Sequence, residues 1–182
     1  MNRRIYISRD EEITERYKKM ARKAEEVQRL WRPEPGDRVI CKRDIYLRDV
    51  GELKEGEVTM ILDVEDSVLY VGDVSEIGCY PECIFVPLAE CKKEDFIWLP
   101  TQEQLQRLVL GPWQAKLHRI HAWFMTEAYE RGEHFVSSMT ELWLAFVMWD
   151  NLHRVWDDER EEWVDKYGQE AGESDEEGGD AE

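Results

Sequence analysis

The sequence lacks the apolar runs and motifs that several large classes of protein require. No apolar stretch reaches the roughly 20 residues of a membrane-spanning helix, and the first residues carry charges where a secretory signal would be apolar. It also lacks a Gly-x-Ser-x-Gly elbow, a glycine-rich phosphate loop and a His-Glu-x-x-His motif. We therefore expect a cytoplasmic, non-enzymatic protein with no cofactor and no membrane contact.

Cysteine is scarce, which excludes a disulfide scaffold. The four cysteines would be reduced in the cytoplasm; they are Cys41, Cys79, Cys83 and Cys91. Four thiolates can bind zinc, and Cys79 and Cys83 are the closest pair. Cys41 and Cys91 stand alone in the sequence, whereas structural zinc sites combine two short knuckles. We expect buried thiols and no bound metal.

Histidine is equally scarce, and two of the four are close in sequence. His118 and His121 lie one helical turn apart, so both imidazoles could bind one metal ion, with His134 or His153 as a third ligand. No carboxylate-histidine motif accompanies the pair. A metal-dependent enzyme that uses His118 and His121 therefore remains an alternative to the non-enzymatic interpretation.

Basic residues are outnumbered, with 24 Lys and Arg against 41 Asp and Glu and a net charge of −17. Residues 169–182 hold seven of the acids and no base, so the remainder still carries −10. Such acidity argues against direct nucleic-acid contact, because affinity for phosphates comes from Lys and Arg. Residues 1–32 are locally basic, which we interpret as a solvated helix face. An acidic DNA mimic or a nucleic-acid-associated protein is a further alternative.

The longest apolar run, 138–149, predicts a central helix. Ser138 and Glu141 form a capping box at its start, and apolar residues at helical spacing continue to Trp156. No polar residue interrupts the run between Leu142 and Trp149, so we expect a helix buried nearly all round. Seven of the eight tryptophans lie from Trp98 onward, which places the main core in this half of the chain.

Three other helices follow from apolar periodicity and from stop signals. One covers 10–31 and ends at a Pro-rich segment; another begins at the capping box formed by Thr101 and Gln104. The third covers 113–131, between Gly111-Pro112 and Gly132. Its predicted core stripe is Trp113, Leu117, Ile120, Phe124 and Ala128.

Between the helices, residues 37–88 are rich in short β-type runs separated by turns. Strands are predicted at 38–42, 57–64, 68–71 and 83–88. Four segments follow one another: Gly36-Asp37-Arg38-Val39, Asp44-Ile45-Tyr46-Leu47, Gly51-Glu52-Leu53 and residues 80–86. Their order resembles that of an SH3-like domain. In that family the glycine-glutamate-leucine stretch ends the long first loop, and a proline opens a short turn before the last strand.

This resemblance implies a peptide groove with Tyr46 as one aromatic wall and Pro81 as the groove proline. The groove tryptophan has no counterpart between Val68 and Gly72, and Ile84 stands where the closing tyrosine would be. A groove for proline-rich peptides needs those aromatic walls. We therefore interpret the barrel as structural, with Tyr46 and Pro81 as its binding candidates.

A second resemblance involves the carboxy-terminal half. Three features occur in order: residues 98–106, Trp-Leu-Pro-Thr-Gln-Glu-Gln-Leu-Gln, then 141–148, Glu-Leu-Trp-Leu-Ala-Phe-Val-Met, and then the tryptophans at 156 and 163. This combination resembles small uncharacterised proteins of phages and prophages of Gram-positive bacteria. The resemblance implies a phage or prophage accessory protein. It implies no catalytic activity.

Together these observations predict an α+β protein. The N-terminal amphipathic helix would span 1–32, an SH3-like β-barrel 33–91, a Trp-rich helical lobe 92–167 and a disordered acidic tail 168–182. The predicted function is protein–protein interaction.

Overall fold

The computed structural model describes residues 13–47, 51–72, 90–131 and 135–167. These residues form an α+β fold of α-helices and antiparallel sheets, which confirms the predicted class. The chain divides into two compact units, Met1–Gln104 and Leu105–Glu182. The predictions for 1–12, for a strand at 83–88 and for the tail 168–182 lie outside the described residues.

The first unit begins with two short helices, α1 (Glu15–Lys23) and α2 (Glu25–Leu30), where one helix was predicted. The helix is broken at Ala24, which has φ −82° and ψ 64°. The Tyr17 hydroxyl donates to the carbonyl of Pro100, and the Gln28 amide bonds both the N–H and the C=O of Trp98, at 2.8 and 2.9 Å. These bonds fix the helices to the strand that contains Trp98.

The main sheet has five antiparallel strands in the order β6-β5-β4-β1-β7. They are β1 (Arg38–Cys41), β4 (Val58–Glu65), β5 (Val68–Gly72), β6 (Glu90–Cys91) and β7 (Phe96–Leu99). A separate hairpin, β2 (Ile45–Leu47) with β3 (Gly51–Leu53), lies between β1 and β4 in sequence, and a 3-10 turn at Lys93–Asp95 precedes β7. Within the described residues no pairing of β6 with β7 closes this sheet into a barrel.

Strand β7 corrects the predicted division of the chain at residue 91. Phe96–Leu99 was assigned to the helical lobe, but it pairs with β1 along its whole length, from Arg38 opposite Leu99 to Cys41 opposite Phe96. All four of its side chains are buried. Pairing with a strand that lies far away in sequence therefore determines the conformation of this apolar segment.

Asp37 is a buried hydrogen-bond centre of the first unit. Its carboxylate accepts from the Trp31 indole at 2.8 Å, from the Glu34 N–H at 2.9 Å and from the Gln104 amide at 2.5 Å. Three donors satisfy this buried side chain, as buried polar groups require. Trp31 also stacks on Trp98, with 6.3 Å between ring centroids. The residue thus links the end of α2, the start of β1 and the segment that begins the next helix.

That helix, α3 (Gln102–Leu108), begins at the predicted capping box. The Thr101 N–H donates to the Gln104 side chain at 2.8 Å, and the Gln104 N–H donates to the Thr101 hydroxyl at 3.3 Å. The second unit continues with α4 (Trp113–Arg131), α5 (Met139–Leu152) and a hairpin of β8 (Arg154–Asp157) with β9 (Glu162–Asp165).

Helix α5 is the predicted central helix. The Ser138 hydroxyl accepts from the Glu141 N–H at 3.1 Å, while the Glu141 carboxylate accepts from the N–H and the hydroxyl of Ser137, one residue earlier than predicted. Six consecutive residues, from Trp143 to Met148, are buried. This run confirms that the middle of the helix is covered on all sides.

The helix ends at Leu152, so its predicted continuation to Trp156 is wrong. His153 adopts the left-handed conformation, with φ 55°, and its N–H bonds back to the Trp149 carbonyl. The next residues alternate as Arg-Val-Trp-Asp and pair with Glu-Trp-Val-Asp. Trp156 and Trp163 meet edge to face with 5.2 Å between ring centroids. Cross-strand aromatic pairing stabilises this hairpin.

Candidate functional site

Among the described side chains of α4, Ile120, Trp123 and Glu127 are buried, and they recur at helical spacing. Trp123 contacts the rings of Phe135, Phe146 and Trp149, with centroid distances of 5.8, 5.4 and 6.0 Å. This aromatic cluster joins α4 to α5 and to the segment between them. It determines which side of α4 faces the core of its unit.

Ion pairs and hydrogen bonds also keep the buried face of α4 turned toward the core. Arg119 forms an ion pair with Asp150 of α5, donates to the carbonyl of Leu110 at 3.0 Å and lies 5.9 Å from the ring centre of Phe146. Lys116 donates to the carbonyl of Gln106 at 2.8 Å. Lys116 and Arg119 therefore make their contacts inside the unit, on the side of the buried face.

A further ion pair joins α4 to the end of the β8–β9 hairpin. Lys166 binds the buried carboxylate of Glu127 at 2.7 Å, lies 3.8 Å from Glu130 and sits over the ring of Trp149 at 5.9 Å. Partial burial lowers the pKa of Lys166, but the hydrogen bond to Glu127 and the nearby carboxylates outweigh burial and raise the pKa overall. The lysine thus stays charged and places its positive charge beside the buried side chain of Glu127.

The side of α4 next to the buried face exposes large apolar side chains. Trp113 is 51 % exposed, Leu117 44 % and Met125 56 %, and Leu110 just before the helix is 80 % exposed. His121 is also exposed and lies between Leu117 and Met125 at the same spacing of four residues. We call Trp113, Leu117, His121 and Met125 the outer ridge. It is the candidate binding surface of the second unit.

The outer ridge corrects the predicted core stripe of α4. Of the predicted stripe, Ile120 is buried and Phe124 half-buried, but Trp113 and Leu117 are exposed, and the buried face lies nearer Trp123 and Glu127. The side chain of Ala128 lies outside the described residues. Apolar residues lie on several sides of this helix, so spacing alone fits more than one face. The ion pair of Arg119 and the burial of Glu127 decide between the faces, and neither follows from the sequence.

His118 and His121, the predicted metal pair, are both exposed on α4. No cluster of three or more potential metal ligands is present within the described ranges. His153 is the left-handed cap of α5, and its ring contacts Tyr167 with 5.8 Å between centroids. His134 lies outside the described residues. The structure therefore brings no third described ligand to the pair.

Cys41 and Cys91 are free thiols buried in the first unit. Burial raises the pKa of each thiol to about 11, and the neighbouring Cys91 adds to this effect at Cys41. At neutral pH both are protonated, which is the less reactive form of a thiol. Cys79 and Cys83, the other members of the predicted thiolate set, lie outside the described residues.

Tyr46, the predicted groove aromatic, projects from the β2–β3 hairpin and is 80 % exposed. It pairs in register with Glu52, and Lys54 binds both Glu52 and Asp44 nearby. Pro81 lies outside the described residues. Tyr46 is therefore exposed, as the aromatic residue of a peptide groove would be. The described residues do not include Pro81, the other predicted groove residue.

The basic amino-terminal region is described only from residue 13 onward. In α1, Lys19, Arg22 and Lys23 are exposed, while Lys18 forms an ion pair with Glu15 at 2.6 Å. On the buried side of α1, Tyr17 donates to the carbonyl of Pro100, the residue that follows β7. The charges therefore occupy the solvent face of the helix.

Comparisons with known proteins identify no relative: no family model, no curated protein and no solved structure matches this chain. The helices in the described part of the chain include none that is both long and apolar enough to cross a membrane.

Proposed function

We propose that this protein is a non-enzymatic binding module that contacts a protein partner through the outer ridge of α4. The observation that supports the proposal is the exposure of Trp113, Leu117 and Met125 on one side of a well-anchored helix. Apolar surface in water is unfavourable, and contiguous exposed apolar patches often mark interaction sites. Burial against a partner would remove this cost.

The anchoring of α4 supports a binding role for the ridge. The aromatic cluster around Trp123 and the ion pair between Arg119 and Asp150 fix the helix against α5 before any partner binds. A surface that is already ordered loses little conformational entropy on binding. Tryptophan is also enriched among the residues that dominate binding energy in interfaces. Trp113 is therefore the proposed anchor of the contact.

We further propose that the protein is a cytoplasmic accessory protein of the phage or prophage type. The segments 98–106 and 141–148 carry that resemblance. An SH3-like first unit is part of the same proposal. It is supported by the hairpin that contains Gly51-Glu52-Leu53 between β1 and β4, and by the short 3-10 turn before β7. The first unit then serves as a scaffold, with Tyr46 as its exposed aromatic residue.

Site-specific photo-crosslinking tests the proposed surface. A photoreactive phenylalanine analogue is placed at Leu117 in the outer ridge or, as the matched control, at Glu159, which is exposed in the β8–β9 turn. The full-length protein is irradiated in its native host cells, and covalent protein adducts are identified by mass spectrometry. We expect adducts from position 117 and none above background from position 159.

The identity of the adduct is informative as well as its yield. An adduct with any protein, including another copy of this chain, supports the ridge as a binding surface. Absence of adducts from position 117, or equal yields from the two positions, would contradict the proposed function.

A further inference from the structure

We infer that the partner of the outer ridge is a second copy of this chain, with the two α4 helices packed antiparallel. This inference rests on the proposed function, because it names the occupant of the same surface. Three features of the ridge support it: the spacing of its residues, their order along the helix and the local absence of acidic residues.

The spacing fits direct helix–helix packing. Trp113, Leu117, His121 and Met125 follow one another at intervals of four residues and form a continuous ridge about 18 Å long. Ridges of this type interdigitate with identical ridges when two helices cross at about −50°, the commonest packing class in globular proteins. The ridge is therefore suited to a partner that presents the same spacing.

The order of the residues makes the ridge complementary to itself. An antiparallel pair whose two-fold axis passes near residue 119 places Trp113 opposite Met125 of the second copy and Leu117 opposite His121. A rigid indole then packs on a flexible thioether, which is a favourable contact. Each pair occurs twice, as an isologous two-fold interface requires. Both ends of the ridge carry a large apolar side chain, and a parallel arrangement would instead place Trp113 on Trp113.

The charge distribution favours contact at this place over the rest of the chain. Residues 105–126 contain no Asp or Glu, although the chain has 41 acidic residues and a net charge of −17. Two copies repel each other through most of their surface, because like charges oppose association. In the acid-free stretch no carboxylates face each other, and the two basic residues of α4 in this stretch are held within their own unit, Lys116 by the Gln106 carbonyl and Arg119 by Asp150. A strongly basic partner would be expected to require acidic side chains beside the ridge, and this stretch provides none.

The size of the ridge limits the strength of the dimer. Standard stable interfaces involve about 20–30 residues on each side, whereas the described ridge and Leu110 supply few side chains per copy. We therefore expect a reversible, concentration-dependent dimer.

The test is sedimentation equilibrium of the full-length protein over a wide range of concentrations, with L117K, H121E and an A122K control. All three positions are exposed, so each variant should fold, which thermal melting checks. L117K and H121E should each weaken self-association at least tenfold, which corresponds to about 1.4 kcal/mol, because each places an unpaired charge in an apolar contact. A122K lies beside the ridge and should dimerise like the parent protein.

Mixing L117K with H121E tests the antiparallel register. In the mixed dimer the introduced lysine faces the introduced glutamate, so association should recover toward that of the parent protein. A parent protein that stays monomeric, an unaffected L117K or H121E, or a mixture that fails to recover would overturn the inference. A monomeric parent whose position 117 still crosslinks to a different protein would overturn only the second-copy inference, and the proposed function would stand.

Discussion

Helices α4 and α5 contribute to the same core, but they use their apolar residues differently. In α5 the residues from Trp143 to Met148 are buried on every side of the helix. In α4 the buried side contains a glutamate, Glu127, while Trp113 and Met125 lie outside that side and are exposed. The comparison shows that apolar content does not by itself identify a core face. Where a helix buries an ion-paired carboxylate and exposes a tryptophan, the exposed side is the better candidate for function.

The largest expected effect compares the same substitution in both helices. Trp143→Ala in α5 removes a fully buried ring and should lower the free energy of unfolding by about 3–5 kcal/mol, and Phe146→Ala should do the same. Trp113→Ala in α4 should cost about 1 kcal/mol or less, because half of that ring is already in water. Chemical denaturation measures all three. Equal losses for Trp143→Ala and Trp113→Ala would contradict the different roles of the two helices.

The ion pair on the buried face of α4 should have the next largest effect. Lys166→Met leaves the carboxylate of Glu127 buried without this cation and should destabilise the protein by about 2–3 kcal/mol. Glu130→Gln is the matched control, because Glu130 is exposed and lies farther from Lys166, at 3.8 Å. This control should change stability by no more than about 0.5 kcal/mol. If the two variants behave alike in denaturant titrations, the buried pair does not orient α4.

The same ion pair predicts a pH dependence in the alkaline range. The pKa of Lys166 is raised in the folded protein above its ordinary value of 10.5, so the native state holds this proton more tightly. Its contribution is complete below 10.5 and is lost as the pH rises through the raised pKa. The buried thiols Cys41 and Cys91, whose pKa values are also raised, lower the stability of the folded protein as the pH rises from about 9 through about 11. The stability difference between the parent protein and Lys166→Met isolates the lysine, and this difference should shrink above pH 10.5. A difference that stays constant would contradict the prediction.

A charge on the outer ridge should have almost no effect on folding. Leu117→Lys places a cation on an exposed surface and should change stability by about 0.5 kcal/mol or less. Val147→Lys, the contrasting variant in α5, should prevent folding because it buries an unpaired charge. Circular dichroism and thermal melting distinguish the two. A Leu117→Lys protein that unfolds would show that this side of α4 is part of the core.

Removal of residues 168–182 should have the smallest effect. This segment contains seven acidic residues and no large apolar residue that could anchor it. We expect the truncated protein to differ from the parent by no more than about 0.5 kcal/mol in denaturant titrations. A larger loss would show that the segment contributes to one of the two units.

Local signals made several elements predictable. Gly111-Pro112 and Gly132 bracket α4, whose bounds agree with the prediction, and the hydroxyls of Thr101 and Ser138 mark the starts of α3 and α5. Strands β1, β4 and β5 lie within one residue of their predicted bounds, because turn residues separate them. Each of these signals lies within a few residues of the element that it defines.

The remaining features depend on distant contacts or on rare conformations. Strand β7 exists because β1 pairs with it, and α5 stops where His153 adopts a left-handed conformation that glycine more often occupies. The break at Ala24 has no sequence signal that we can identify. The outer ridge was missed because Trp113 and Leu117 fit a core stripe as well as Ile120 does. Only the contacts of Trp123, Arg119 and Glu127 show which face is inside.

The most direct test of the central claim is the photo-crosslinking comparison of positions 117 and 159. Our account predicts protein adducts from the outer ridge at Leu117 and only background at Glu159. Equal labelling at the two positions, or no adduct at 117, would show that the exposed side of α4 is ordinary surface, and the proposed binding function would be wrong.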